Sequence, residues 1–434
     1  STTEPAPRGA PCGGRPPATS STCCRTSEPM RLHPVHPSLG SLRRFDSLGP
    51  IAAMVDRRSH RSVHEFSLRL FDAGLASAEL MACYLGLELG LYRVLREVGP
   101  TTAAQVARHA DLNPRMTREW LEQQTVAGIV TVDGEGDKPQ DRRFALPDEH
   151  AEALLDEDSE HWIAPLVVMP IGGIAAVLPQ LVDAYRTGEG LPYAAYGEAM
   201  RGGQAGLNGG VYKHHLPGWI SRYMPDIDAR LRVPGAAIAD IACGSGLSTL
   251  ALARMFPDAQ VHGVDLDDAS IADARDNLAT AGSDLAGRVR FTAGNASDEP
   301  LTASYLLVCL FDALHDMAAP VEVLRACRRM LAPGGVVLLM EPSVGERFTA
   351  TPPDSERFHY AVSVLHCLPV GMSETPSAAT GTVMRPETVR GYAREAGFDT
   401  WVIDVGHPFH RLYRLTPSPE SPVPRVVSTL PDRK

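Results

Sequence analysis

Five short apolar runs, at residues 236–242, 260–266, 288–293, 305–311 and 336–341, alternate with stretches whose apolar residues recur at helical spacing. This alternation constrains the chain more than any other feature. Buried parallel strands need such runs, and the crossovers between them need helices, so residues 233–417 are expected to form one doubly wound α/β domain. Two further runs, Trp401–Val405 and His410–Leu415, are joined by a short Gly/His/Pro turn. A turn that short closes only an antiparallel pair, because a parallel crossover needs a dozen or more residues. The sheet is therefore expected to end in an antiparallel hairpin.

Upstream, apolar residues from Phe66 to Leu95 (Leu68, Phe71, Leu75, Leu80, Leu87, Leu91, Leu95) keep a helical period and predict two packed helices. A helix start at Thr101, a break at Asn113-Pro114 and a second helix ending at Gly128 follow. Ile129–Val132 and Arg143–Leu146 then flank a Gly/Asp-rich turn, as a two-stranded wing would. Residues 63–150 thus predict a mainly α winged-helix domain. Many such modules bind DNA. Here, however, Glu119 and Glu122 accompany Arg115 and Arg118 on the candidate recognition helix, and the whole chain carries −11 charges. A phosphate-binding face is basic, so a homodimerisation role is expected and nucleic acid is not.

Residues 151–232 read as a helical linker or substrate lid. They hold an aromatic-rich stretch of Tyr193, Tyr196, Tyr212, His214, His215, Trp219 and Tyr223. Tyr212, His215 and Trp219 are candidates to line an acceptor pocket, with His366 from a later apolar stretch; each would serve equally well as interdomain packing. Residues 1–62 and 418–434 are rich in Pro and Ser, cannot bury enough surface to fold, and are expected to be disordered tails, with Met30 or Met54 as possible translation starts. The eight cysteines form no CxxC pair and read as reduced, mostly buried thiols of a cytoplasmic protein. No apolar run approaches the ~20 residues that span a bilayer, so no membrane partner is expected.

Three constellations carry chemistry. The first is Asp240-Ile-Ala-Cys-Gly244-Ser245-Gly246, between a strand and a helix. Its glycines let backbone amides approach a ligand, and the helix presents its positive end to it. An acid ahead of the turn suits a cationic amino-acid ligand and repels the pyrophosphate that a GxGxxG loop holds. The second is Gly263-Val-Asp265-Leu266, with Asp265 lying 19 residues beyond Gly246. An acid ending the second strand accepts hydrogen bonds from both ribose hydroxyls. The third is Phe311-Asp312-Ala-Leu-His315-Asp316, after the fourth strand. Ligands of doubly wound sheets bind at the carboxyl ends of the strands, and a neutral imidazole there takes a proton from a hydroxyl. Glu341, ending the next strand, is placed to orient it. No HxxxH spacing occurs among His214, His215, His315, His359 and His366, and no metal is expected. His359 and His366, seven residues apart in an apolar helical stretch, are expected to share a face.

With Gly294-Asn295-Ala296 and Leu331-Ala-Pro-Gly334-Gly335 added, the chain resembles the class I S-adenosylmethionine (SAM)-dependent methyltransferases. The resemblance implies a seven-stranded, Rossmann-like sheet with an antiparallel last strand, and SAM as cofactor. It places Asp240, Gly244, Ser245 and Gly246 at the methionine end, Asp265 at the ribose, and Leu266, Asn295 and Ala296 around the adenine. Phe311 and Asp312 would complete the cofactor site. The His315-Asp316 pair is similar to the His-Asp motif of plant and bacterial small-molecule O-methyltransferases, which also carry a winged-helix dimerisation domain. That likeness makes His315 the general base. Arg118-Glu-Trp-Leu121, Asp156-Glu-Asp-Ser159 and Leu314-His-Asp-Met317 resemble a bacterial group of winged-helix methyltransferases over residues 65–416. In this group Met317 stands where plant enzymes often have Trp.

The expected reaction is O-methylation of a hydroxylated aromatic or polyketide-like small molecule, as in secondary metabolism. The alternatives are N- or C-methylation on the same scaffold, where positioning alone carries the reaction, and a SAM-binding winged-helix regulator. A nicotinamide oxidoreductase is disfavoured by the missing GxGxxG.

Overall fold

A computed structural model describes residues 62–136, 138–296 and 304–419. The two expected tails lie almost entirely outside these residues, as do Cys12, Cys23, Cys24, Met30 and Met54. From Val63 onward the chain forms one compact body.

The N-terminal part opens with helices Val63–Glu88 and Leu91–Val98, the two expected from periodicity. Helices Ala103–His109 and Pro114–Val126 follow. Thr102 caps the first through a reciprocal pair with Gln105, and Asn113 caps the second by accepting from the amides of Arg115 and Met116. Strands β1 (Thr101–Thr102), β2 (Thr131–Asp133) and β3 (Arg143–Ala145) form an antiparallel wing in the order β1-β3-β2. Leu91, Tyr92, Leu95, Trp120, Leu121 and Phe144 make its core. Trp120 donates its indole N–H to the Ala82 carbonyl at 2.9 Å, pinning the recognition helix to the first helix.

The main sheet contains β4 (Ala237–Ile241), β5 (Gln260–Asp265), β6 (Val289–Ala293), β7 (Tyr305–Phe311), β8 (Leu331–Pro342), β9 (Phe398–Ile403) and β10 (His410–Pro417). Their spatial order is β6-β5-β4-β7-β8-β10-β9, and β10 alone runs against its neighbours. The reversal between β4 and β7 marks the switch point at which ligands bind. Successive residues of each strand face opposite sides, so two cores form. Ile238, Leu307, Cys309, Leu338 and Met340 pack against helices Leu216–Tyr223 and Leu247–Met255. Ala239, Val308, Leu310, Val337 and Leu339 pack against Pro320–Met330 and Pro386–Glu395.

Two findings correct the sequence reading. Helices are long and apolar enough to cross a membrane at Val63–Glu88 and at Ala164–Thr187, the spanning stretch of the first being only 11% buried. Asp72 and Glu79 break the first apolar run without lowering its mean hydropathy enough to matter, and the second, uncharged from Ala164 to Val182, is interrupted only by Pro, Gly and Gln180. The second correction is local. A π-helical turn, Ser363–Cys367, follows the helix of His359 and contains His366. Its wider winding rotates one against the other, so they meet different neighbours instead of one.

Candidate active site

The loop after β4 is shaped by what lies behind it. Gly246 has φ +78 and starts helix Leu247–Met255; a Cβ there would lie 2.5 Å from the Phe291 ring. At Gly263 a Cβ would lie 2.6 Å from the same ring, so both positions must be glycine for β5, β6 and the loop to close together. Asp240 lies one layer beneath the loop. Its Oδ2 accepts from Ser248 Oγ and Thr249 Oγ1, both at 2.6 Å, which ties the strand end to the first turn of the helix. Burial lifts its carboxyl to about 6.

Asp265, at the end of β5, accepts from the Gly244 amide at 2.8 Å through Oδ2 and from the Asp267 amide at 2.9 Å through Oδ1. A carboxylate has about four acceptor positions, so each oxygen keeps one. Burial raises its pKa. Beside it, Leu266 is 64% exposed, an apolar platform next to a half-buried acid. Asn295 is exposed and Ala296 buried at the end of β6. Arg201 reaches over from helix Gly197–His214 to Asp273 at 3.3 Å, securing the helical region to this cleft.

The second half of the site is built where β7 and β8 end. Phe311 is buried against Tyr212, ring centroids 5.6 Å apart. Asp312 adopts φ +49, a conformation uncommon outside glycine, asparagine and aspartate. A short 3-10 turn, Leu314–Asp316, then presents His315. Glu341 is fully buried and holds this turn with both oxygens. Its Oε1 accepts from the Leu314 amide at 2.9 Å, and its Oε2 lies 2.5 Å from His315 Nδ1. Nδ1 therefore carries the proton given to Glu341, and Nε2 keeps the lone pair in the neutral imidazole. Nε2 is 3.3 Å from Asp316 Oδ1, and Cys367 Sγ completes a cluster whose atoms all lie within 4.8 Å of one another. Burial alone would lower the His315 pKa, but the carboxylates of Asp316 and Glu341 outweigh it and raise the imidazole well above its ordinary value.

The remaining candidates divide. His366 is fully buried, edge-on to Tyr193 and Tyr196, with Nδ1 3.4 Å from Cys367 Sγ. His359 instead meets Phe358 and Phe409 and lies within the field of the Asp312 carboxylate. His215 and Trp219 stack on each other and meet His407, which contacts His410, whose Nε2 lies 2.9 Å from Asp312 Oδ2. They reach the site only through that chain of histidines. Cys367, His407 and His410 were missed as site residues. The two histidines sit in and after the turn before β10, where the sequence signalled only a hairpin. Tyr193 was listed among the aromatics but not chosen; it is buried within the fields of Asp265, Asp267 and Asp316, between the two halves of the site.

Comparison with known proteins agrees with this architecture. Residues 239–337 match a family described as a methyltransferase domain, and residues 76–155 match the Rv2258c-like winged HTH domain. A ubiquinone biosynthesis O-methyltransferase of Xanthomonas campestris pv. campestris (strain B100) is 32% identical over 113 residues, 26% of this chain. The match spans 46% of that relative, about half its length. One from Nitrosospira multiformis is 28% identical over 195 residues, covering 44% of this chain and 74% of the relative. Among solved structures, an O-methyltransferase family protein from Burkholderia thailandensis superposes with TM-score 0.60 at 20% identity, over 84% of this chain and 100% of the other. Human N-acetylserotonin methyltransferase in complex with SAM gives 0.60 at 16% identity, over 83% and 99%. Mitomycin 7-O-methyltransferase MmcR gives 0.57 at 18%, over 82% and 98%. The chain has the fold of the class I methyltransferases, preceded by a winged-helix module.

Proposed function

We propose that this chain, with its class I methyltransferase fold, is a SAM-dependent methyltransferase that methylates a hydroxyl of an aromatic or polyketide-like small molecule, with His315 as general base. The observation that carries the reading is the buried Glu341–His315 pair at the switch point, which leaves the Nε2 lone pair facing away from Glu341.

The residues present fit the cofactor. Asp265 retains acceptor capacity for ribose hydroxyls, exposed Leu266 offers an apolar surface to a purine, and the Cβ position of Gly244 faces open space. Asp240 acts beneath the loop, holding its shape through Ser248 and Thr249. When bound, SAM supplies an electrophilic methyl group on a sulfonium. The chain's own part is proton management. His315 Nε2 takes the hydroxyl proton of the acceptor, Nδ1–H stays on Glu341, and the buried carboxylate stabilises the imidazolium so formed. The helical region at 151–232 brings Tyr193, Tyr212 and Arg201 over the cleft and excludes water.

The winged-helix module serves dimerisation. Phe66, Leu68, Leu70, Phe71, Leu75, Met81 and Leu85 are exposed on one long helix, more apolar surface than a monomer usually presents. Its candidate recognition helix offers no free basic face, since Arg115 pairs with Glu119 and Arg118 lies 4.0 Å from Glu122, which also pairs with Arg142, and this supports the absence of nucleic acid among its partners. The buried, free thiols of Cys83, Cys243, Cys309, Cys327 and Cys367 fit a reducing compartment. A tritiated-SAM transfer assay over phenolic, amine and carbon-nucleophile acceptors tests the reading. Label transferred to hydroxyls supports it, and transfer only to nitrogen or carbon would move the alternative chemistry ahead.

A further inference from the structure

Three residues from His315, Asp312 is a largely buried acid, its side chain 12% exposed, whose two oxygens are used unequally. Oδ2 pairs with His410 Nε2 at 2.9 Å, whereas Oδ1 is buried with no hydrogen-bond partner. Burial would raise the carboxyl pKa, yet His410, with help from His315, holds it below the ordinary range, so the group is an anion at neutral pH. An unsatisfied oxygen on a buried anion costs stability. The backbone adds to that cost through its positive φ, a combination that tends to persist where a ligand repays it.

His359 faces Asp312 from the helix Asp354–Val362. Its pKa is lowered to about 4, first by burial, so the ring is neutral. The Phe409 backbone opposes that shift, and the ring's Nε2 is buried with no partner. With the ring proton on Nδ1, Nε2 is a bare acceptor. Two orphaned atoms of the site, Asp312 Oδ1 and the Nε2 of an Nδ1-protonated His359, are thus acceptors, and their groups lie within each other's electrostatic reach and that of His315.

We infer that Asp312 and His359 form a second recognition pole, which receives a hydrogen-bond donor carried by the acceptor molecule in addition to the hydroxyl that is methylated. The favoured acceptor class is therefore a diol or amino-alcohol type of small molecule, uncharged or cationic. A carboxylate at the same position would meet an anion. A site built to bond a hydroxyl discriminates strongly against the analogue lacking it, because its own polar groups are then left unpaired. His410 acts as a positioning residue, holding Asp312 ionised and oriented. This inference rests on the proposed methyl transfer for its meaning, but binding tests it separately.

The experiment compares naphthalenediol isomers with 1- and 2-naphthol. Binding is read by calorimetry in the presence of S-adenosylhomocysteine, and turnover is read with tritiated SAM. For at least one diol isomer, affinity is expected to exceed that of the matched naphthol by 10-fold or more. In Asp312→Asn and in His359→Leu the ratio should fall to about 1. Asn tolerates the positive φ of position 312, and the His359 variant keeps the test open should the first not fold. His410→Phe should reduce the ratio as well. Equal affinities of diols and naphthols, absence of binding by either, or variants that leave the wild-type ratio intact would overturn the inference. Diol-selective binding without label transfer would uphold the pole and count against the methyl-transfer reading instead.

Discussion

At the scale of single residues, Asp265 is the most exposed point of the cofactor assignment. Its carboxylate holds the Gly244 amide and still has acceptor positions for a ribose. Asp265→Ala leaves both the loop amide and the ligand hydroxyls unpaired, a loss of about 1–3 kcal/mol. Calorimetry should show SAM binding weakened by about 5- to 150-fold with the fold intact; unchanged affinity would mean the ribose lies elsewhere. The sequence identified this residue because its signal is local, an acid at a strand end at a fixed distance from a glycine loop. Glu341 was found on the same footing. Cys367, His407 and His410 carried no such signal, since their roles depend on which loop meets which in space. Asp240 was recognised as part of the loop motif, but only packing shows it to be buried under the loop and bonded to Ser248 and Thr249.

At the scale of elements, the strands followed from their apolar runs and the antiparallel end of the sheet from one short turn, whereas the order of the strands is read only from the structure. What periodicity could not provide was departure from period. The π-helical turn Ser363–Cys367, which contains His366, rotates it away from His359 although seven residues normally return to the same helix face. The first helix makes a separate prediction. Its apolar residues repeat on more than one face, and Phe71 remains 67% exposed in the single chain. Burying that surface in a second copy gains roughly 25 cal/mol per Å² of apolar area. Light scattering should therefore report a dimer for the full chain, and Phe66→Glu with Phe71→Glu should shift it to monomer. A wild-type monomer at micromolar concentration would contradict the dimerisation role.

At the scale of the whole molecule, buried neutral histidines couple stability to acidity. His262, His359 and His366 have pKa values lowered by burial to about 4, 4 and 3. Below an unfolded value of ~6.5 the unfolded chain binds protons that the folded one refuses, so stability is lost as pH falls from there towards 4. Each such histidine contributes at most about 1.4 kcal/mol per pH unit. Melting temperature should drop steadily across that window, and less steeply in His262→Gln; a flat profile would show these rings to be solvated or paired. The charge relations around His315 run the opposite way and lead to catalysis. Asp316 and Glu341 raise its pKa, so the neutral, proton-accepting form is reached only above the ordinary histidine range. The central claim is that this imidazole removes the acceptor's proton, and its most direct test is the pH–rate profile of wild type beside His315→Ala. Wild-type turnover is predicted to rise with pH through a midpoint above ~6.5, and His315→Ala to lose about 10²–10⁴-fold in kcat with SAM affinity retained and that rise abolished. Near-normal turnover in His315→Ala, with the same pH profile as wild type, would contradict it.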